Sequence, residues 1–388
     1  MQHPFKYETM RIFSSLEKYR ILPESLPVGE RVASIDALRG FDMFWIMGGE
    51  IIFKSLDPIF HSPATQFLST QLEHVEWLGF RFYDIIMPLF VMLAGISMPF
   101  SISRRLGRNN SKSALWPHIF KRFILLWIIG MAVQGNLLTY DLAQFKFYSN
   151  TLQSIAIGYL IASVFILYIN VRGQVLATIG LMLTYWIAMA VIPVPGIGAG
   201  SYTPHENLAL FIDKAVLGKF QDGTTYSWIL SSLNFGATVM LGVFAGYILK
   251  SGVTGKHKVV LLLGFGIGFL LLGKLWHPFH PIIKHIWTGS FVLFSGGIIY
   301  LLMAVFYLVI DVWKFQKGSK FFIIIGTNSI IAYTGWHLFN FGYVAAIFTN
   351  GLKDRTGDWF ALIHSTLAFL IAFLILRHMY RYKIFIKV

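Results

Sequence analysis

The chain has 388 residues, of which 56% are hydrophobic and only 13% charged. So few charges cannot cover a water-soluble surface, which excludes a soluble globular protein and indicates an all-α polytopic membrane protein. With no cysteine, disulfides, thiolate nucleophiles and cysteine metal sites are excluded too.

Residues 1–31 are mixed in charge and lack the apolar stretch of a signal peptide. They are expected to form a cytoplasmic arm ahead of a single membrane domain, 32–388. Apolar segments of roughly the 20 residues needed to cross a bilayer fall near 37–56, 78–100, 119–138, 151–170, 175–194, 227–249, 258–277, 289–312, 321–348 and 359–378. That predicts about ten transmembrane helices. With a cytoplasmic N-terminus, 23 of the 32 Lys and Arg residues fall on the cytoplasmic side, as the positive-inside rule requires. Both termini are then cytoplasmic. The net charge of +14 reads as an orientation signal and a partner for anionic lipid, not as a nucleic-acid surface.

The first predicted span carries Arg39 and Asp42 near its cytoplasmic end and Glu50 in its outer half. Residues 72–95, "LEHVEWLGFRFYDIIMPLFVMLAG", start charged and end as a span. His74 stands at the outer mouth, and Asp84 ten residues on, about 15 Å deeper if the segment is one helix. An ionisable group inside a span costs free energy on the order of 2.5–3.5 kcal/mol and so faces a partner or a cavity. Asp84 is expected to pair with Arg39 or Arg81. Glu50, with no obvious cation nearby, is the better candidate for a working carboxylate. His74 is the natural general base or nucleophile in a chain without cysteine, against the plainer reading of an interfacial anchor. The outer segments 57–77 and 195–226 are expected to roof a pocket, with a short interfacial helix around "NLALFIDKAVLGKF". "WHPFHPIIKH" comes nearest to a metal cluster, but its prolines break helical register and no metal is expected. In the ninth span Ser329, Tyr333 and His337 share one helical face, either as interhelical glue or as a tunnel wall.

"RVASIDALRGFDMFWIMGG" followed by "HVEWLGFRFYDIIMPLFVMLAG" resembles the opening of the heparan-α-glucosaminide N-acetyltransferase family of transmembrane acyltransferases. "LWPHIFKRFILLWIIG", "NTLQSIAIGYLIAS", "SWILSSLNFGATVMLGVFAG", "KHIWTGSFVLFSGG" and "GTNSIIAYTG" continue the resemblance in order, from about residue 32 onward. It implies acetyl transfer from cytosolic acetyl-CoA to the amine of a terminal glucosamine or related amino sugar across the membrane. His74 takes the family's active-site position, with Asp84 at the family's Asp. Glu50 falls where the animal enzyme has an assisting Asn. Arg39 and Arg122, at cytoplasmic helix ends, would meet the CoA phosphates, and Gln153 and Asn328 are expected as further cofactor contacts. Ser154 replaces an Arg of the usual Leu-Gln-Arg, and His337 lies one position past the family's Gly-His.

The expected partners are acetyl-CoA, an amino-sugar or glycan acceptor and the bilayer, with a homodimer left open. The short N-terminal region, and the lack of an N-glycosylation sequon on the outer side, lead to the expectation of a bacterial inner membrane. The competing reading is a transporter or flippase for a sugar or anion, in which the buried charges hold substrate without covalent chemistry.

Overall fold

Asn and Thr side chains start several of the membrane helices. Asn150, Asn170, Thr254 and Thr288 each accept a hydrogen bond from a backbone N–H in the first turn that follows, satisfying donors that a helix N-terminus leaves bare. The computed structural model describes residues 32–109 and 111–386; the expected arm at 1–31 lies outside them. The principal helices are α1 (Ala33–Phe44), α2 (Ile86–Asn109), α3 (Trp116–Val133), α4 (Thr151–Tyr168), α5 (Val171–Val191), α6 (Ser232–Lys250), α7 (Gly255–Trp276), α8 (Gly289–Tyr307), α9 (Ser319–Gly326), α10 (Ser329–Leu338) and α11 (Trp359–Arg381).

Eight stretches among the described residues are long and apolar enough to cross a membrane, and the bent pair α9–α10 makes a ninth if taken as one span. The chain is an all-α integral membrane protein. Two of the predicted spans are interrupted. The first is not one rod: after α1 the backbone leaves helical values at Met47 and Gly48 (φ 103°), and a short helix, Glu50–Lys54, resumes beyond. The ninth bends by 71° between Gly326 and Ser329 and stops at Leu338, before a separate short helix at Phe341–Thr349. The interfacial helix is present as Leu208–Leu217, capped by Asn207.

α2 and α6 are the most enclosed helices, with 72% and 78% of their apolar windows buried, whereas α3 and α7 are at 17% and 22% and form the perimeter. α1 meets α9 backbone to backbone. A Cβ on Gly40 would fall 1.7 Å from the Phe322 carbonyl oxygen, and one on Gly326 1.9 Å from that of Asp36, so only glycine permits this approach.

At one end of the bundle the connecting segments are tied together. Gly79 N–H donates to the Ile282 carbonyl at 3.0 Å, Ser227 N–H to that of His285 at 3.0 Å, and Phe147 N–H to that of Phe220 at 3.1 Å. The Trp77 indole N–H donates to the Tyr202 carbonyl at 2.8 Å. Segments remote in sequence thus converge on the mouth that His74 occupies.

Candidate active site

The chain between the short helix Pro63–Gln71 and the start of α2 is not helical. Gly79 takes φ 113°, a left-handed value that suits glycine, and Arg81 is extended before a single 3₁₀ turn, Phe82–Ile85. This loop folds back over the end of α2. Asp84, in that turn, points its carboxylate up into the loop: Oδ2 accepts from the backbone N–H groups of Arg81 (3.0 Å) and Val75 (3.3 Å), and Oδ1 lies 2.9 Å from His74 Nδ1. The separation of about 15 Å expected for a continuous helix is therefore wrong. His74 and Asp84 touch because the ten residues between them turn back instead of rising.

The partner of Asp84 is also different from the one expected. Lys284, from the segment between α7 and α8, places Nζ 3.3 Å from Asp84 Oδ1. Arg39 instead pairs with Asp36 at 3.1 Å and donates to the Ser97 hydroxyl at 2.7 Å. Arg81 turns outward to Glu73 (3.3 Å) and to the His74 carbonyl (3.2 Å). Asp84 and Lys284 are both buried, whereas the His74 side chain is 45% exposed. A buried acid and base together avoid the cost of either charge alone. Burial pushes the Lys284 ammonium down to about 8, against the pull of the Asp84 carboxylate, and burial pushes His285 down to about 4.

His74 opens into a cavity of about 550 Å³, a size typical of small-molecule sites. Tyr83 and Lys284 flank the imidazole there. Asp222, Tyr226 and Trp228 form a wall from the segment before α6; Tyr333, Trp336 and His337 line it from α10; Gln134 and Thr151 complete it from the ends of α3 and α4. The wall is held from behind: Asp222 accepts the Trp228 indole N–H at 2.8 Å, and Tyr226 stacks on His285 with ring centroids 4.2 Å apart. The polar face of the ninth span thus supplies Tyr333 and His337 to the cavity.

Glu50 does not line this cavity. It has a cation after all, Lys54 at 3.7 Å one turn on, and its carboxylate neighbours the Tyr83 side chain, whose ring packs on the His74 imidazole at 4.8 Å. Glu50 thus reaches His74 through Tyr83. Arg39, Arg122, Gln153 and Asn328 also lie outside the cavity lining. Arg122 rests its guanidinium 4.4 Å from the centre of the Tyr159 ring, with a buried Nε that has no hydrogen-bond partner among the described residues. Both ends of the Gln153 amide hold the backbone of 147–149, and those of Asn328 hold Ile384 and Ile386. The histidines of "WHPFHPIIKH" serve separately: His277 accepts from Ile282 N–H, His280 bonds the Tyr202 hydroxyl and Gly289 N–H, and His285 bonds Thr225.

Sequence reading missed Lys284 and the aromatic wall. The available signal was that Lys284 is one of only nine Lys and Arg residues outside the basic side.

A family model described as "Heparan-alpha-glucosaminide N-acetyltransferase, catalytic" matches residues 31–260. Two curated proteins named heparan-alpha-glucosaminide N-acetyltransferase are similar to the chain. The human one is 26% identical over 381 residues and the mouse one 25% identical over 375. Each alignment covers 81% of this chain and 56% of the relative, so the chain spans about half the length of the curated relatives it matches.

Proposed function

Since the chain belongs to the heparan-alpha-glucosaminide N-acetyltransferase family, we propose that it is a transmembrane acetyltransferase moving an acetyl group from acetyl-CoA to the amine of glucosamine or a related amino sugar. The observation that carries this reading is the His74 imidazole, half exposed in the wall of a 550 Å³ cavity and backed at 2.9 Å by the buried Asp84 carboxylate.

A carboxylate on one ring nitrogen fixes the orientation of an imidazole and leaves the other nitrogen for chemistry. His74 is the general base that takes the proton of the attacking amine, and Asp84 its orienting partner. Glu50 acts at one remove, through Tyr83. The aromatic wall of Tyr226 and Trp228 gives a sugar ring a flat apolar face, while His74 faces the amine. CoA carries a polyanionic head, which needs cations. Arg122, with Nε unpaired, and its neighbours Lys121 on α3 and Arg105 on α2, which gather with it around His118, meet that need, and Arg39 stands toward the same end on α1. Gln153 and Asn328 then act indirectly, by holding the loop and chain end beside the route. The excess of Lys and Arg puts this basic end in the cytoplasm, so acetyl-CoA enters there and the acceptor from the opposite side. An inner bacterial membrane fits that arrangement.

Purified protein given acetyl-CoA and glucosamine should release CoA thiol, and His74→Ala should lower that rate by about 10²–10⁴-fold, the usual worth of a general base. Saturable sugar binding without thiol release would point to the transporter instead.

A further inference from the structure

Asn150 stands at the head of α4, fully buried, and its partners fix which way its amide points. Oδ1 accepts the Leu152 backbone N–H at 2.7 Å. A backbone N–H only donates, so the other end of the amide is the nitrogen. The two hydrogens on Nδ2 go to Gln134 Oε1 at 2.6 Å and to the Tyr333 hydroxyl oxygen at 3.2 Å. Gln134 therefore presents its oxygen to Asn150, which leaves both hydrogens of its Nε2 for another acceptor. Tyr333 accepts from Asn150, so its own hydroxyl hydrogen is free to donate elsewhere.

Gln134 and Tyr333 both line the cavity that His74 opens into, and so do Ser149 and Thr151 on either side of Asn150. The Thr151 hydroxyl neighbours that of Tyr333; two hydroxyls share one hydrogen between them, which leaves the second over. Ser149 Oγ is buried and has no hydrogen-bond partner among the described residues, an arrangement that costs free energy until something fills it. α4 begins at Thr151 and adds the positive end of its dipole at the same place. This patch of wall thus holds more donors than the protein gives it acceptors, and none of the four side chains is charged.

We infer that the Tyr333 hydroxyl and the Gln134 amide nitrogen, both held by buried Asn150, form the oxyanion hole for the acetyl carbonyl. This rests on the acetyl-transfer reading above. A carbonyl oxygen only accepts, which matches an amide nitrogen that only donates; a sugar hydroxyl would bring a hydrogen of its own to a place already rich in them. Tyr333 packs on Phe90 with ring centroids 5.6 Å apart, and Phe90 stands one turn into α2 from the end over which the His74 loop folds. The acetyl carbon then lies between the imidazole and this donor pair. The steps balance without a further reactant. The amine nitrogen attacks the thioester carbon and forms the C–N bond, and the carbonyl π pair moves onto the oxygen, where the two donors meet the new negative charge. His74 Nε2 takes the proton from the nitrogen. The pair returns from the oxygen, the C–S bond breaks, and its electrons leave with the sulfur, which takes the proton from His74 as CoA thiol.

The test measures kcat, and KM for acetyl-CoA and for one amino sugar, in wild type, Tyr333→Phe and Gln134→Glu. Phenylalanine keeps the ring against Phe90 and loses only the hydroxyl. Glutamate keeps the oxygen that Asn150 needs and puts an acceptor where the donor was. Removing one such donor typically costs about 10²–10³ in kcat, and a contact that strengthens only in the transition state shows in kcat and not in KM. The inference therefore expects kcat to fall at least about tenfold in each variant while acetyl-CoA binding is kept. A smaller fall in either would overturn it; if the loss sits instead in KM for the sugar, the donors serve sugar hydroxyls. If one variant no longer binds acetyl-CoA, the other decides, and loss of binding in both would make the network structural and overturn the inference. A wild type that transfers acetyl to no amino sugar would overturn the acetyltransferase reading itself, and this inference with it.

Discussion

At the scale of single residues, the site is a problem of burying charge. Asp84 is fully enclosed and Lys284 nearly so, and each is tolerable only because of the other. Breaking a buried pair by removing one charge typically costs about 3–5 kcal/mol. Asp84→Asn should therefore lower the thermal stability of the detergent-solubilised protein strongly, as well as its turnover. His74→Ala, at a half-exposed position, should barely change stability while removing activity. Thermal melts of the two variants side by side test this, and equal melting points would contradict it. Glu50→Gln should slow transfer by about tenfold or less, because Glu50 touches the imidazole only through Tyr83; a loss as deep as that of His74→Ala would make it a direct participant.

At the scale of elements, glycines and breaks decide where the site sits. Gly40 and Gly326 let α1 and α9 approach at backbone distance, which fixes α1, ahead of the short helix that carries Glu50, against the bent span that leads to Tyr333. Gly40→Leu should prevent a monodisperse peak on size-exclusion chromatography. Gly264→Ala on the perimeter helix α7, where a Cβ would meet nothing within 4 Å, should leave the profile unchanged. The elements themselves were largely readable in advance, because a run of some twenty apolar residues has few alternatives in a bilayer. Their interruptions were not. Hydropathy sees "FDMFWIMGGEII" as one span, whereas Gly48 at positive φ, against the Trp336 ring, breaks it. The same blindness put His74 and Asp84 on one helix. Only the turn at Gly79 and the extended Arg81 bring them together, and no periodicity announces a reversal of that kind. Lys284 was hidden for a different reason: it meets Asp84 across 200 positions of sequence, a contact that only the packed bundle creates.

At the scale of the whole molecule, the two ends of the bundle have different chemistry. On the topology expected from the sequence, one gathers most of the Lys and Arg; the other gathers loops stitched by Trp77, Gly79, Phe147 and Ser227 over the cavity. Because the chain has no cysteine of its own, single cysteines report sidedness cleanly. Ser201→Cys should react with an impermeant maleimide only from the outer face of intact cells, and Gly318→Cys only after the membrane is opened. The reverse pattern would invert the proposed route of both substrates. The most direct measurement joins this asymmetry to the chemistry. Proteoliposomes loaded with glucosamine receive acetyl-labelled acetyl-CoA outside, and the lumen is then assayed for N-acetylated sugar. Wild-type protein should deliver label to the trapped sugar while His74→Ala vesicles deliver none. Label that stays outside with wild type, or that reaches the sugar equally well with His74→Ala, would contradict a transmembrane acetyltransferase built on His74.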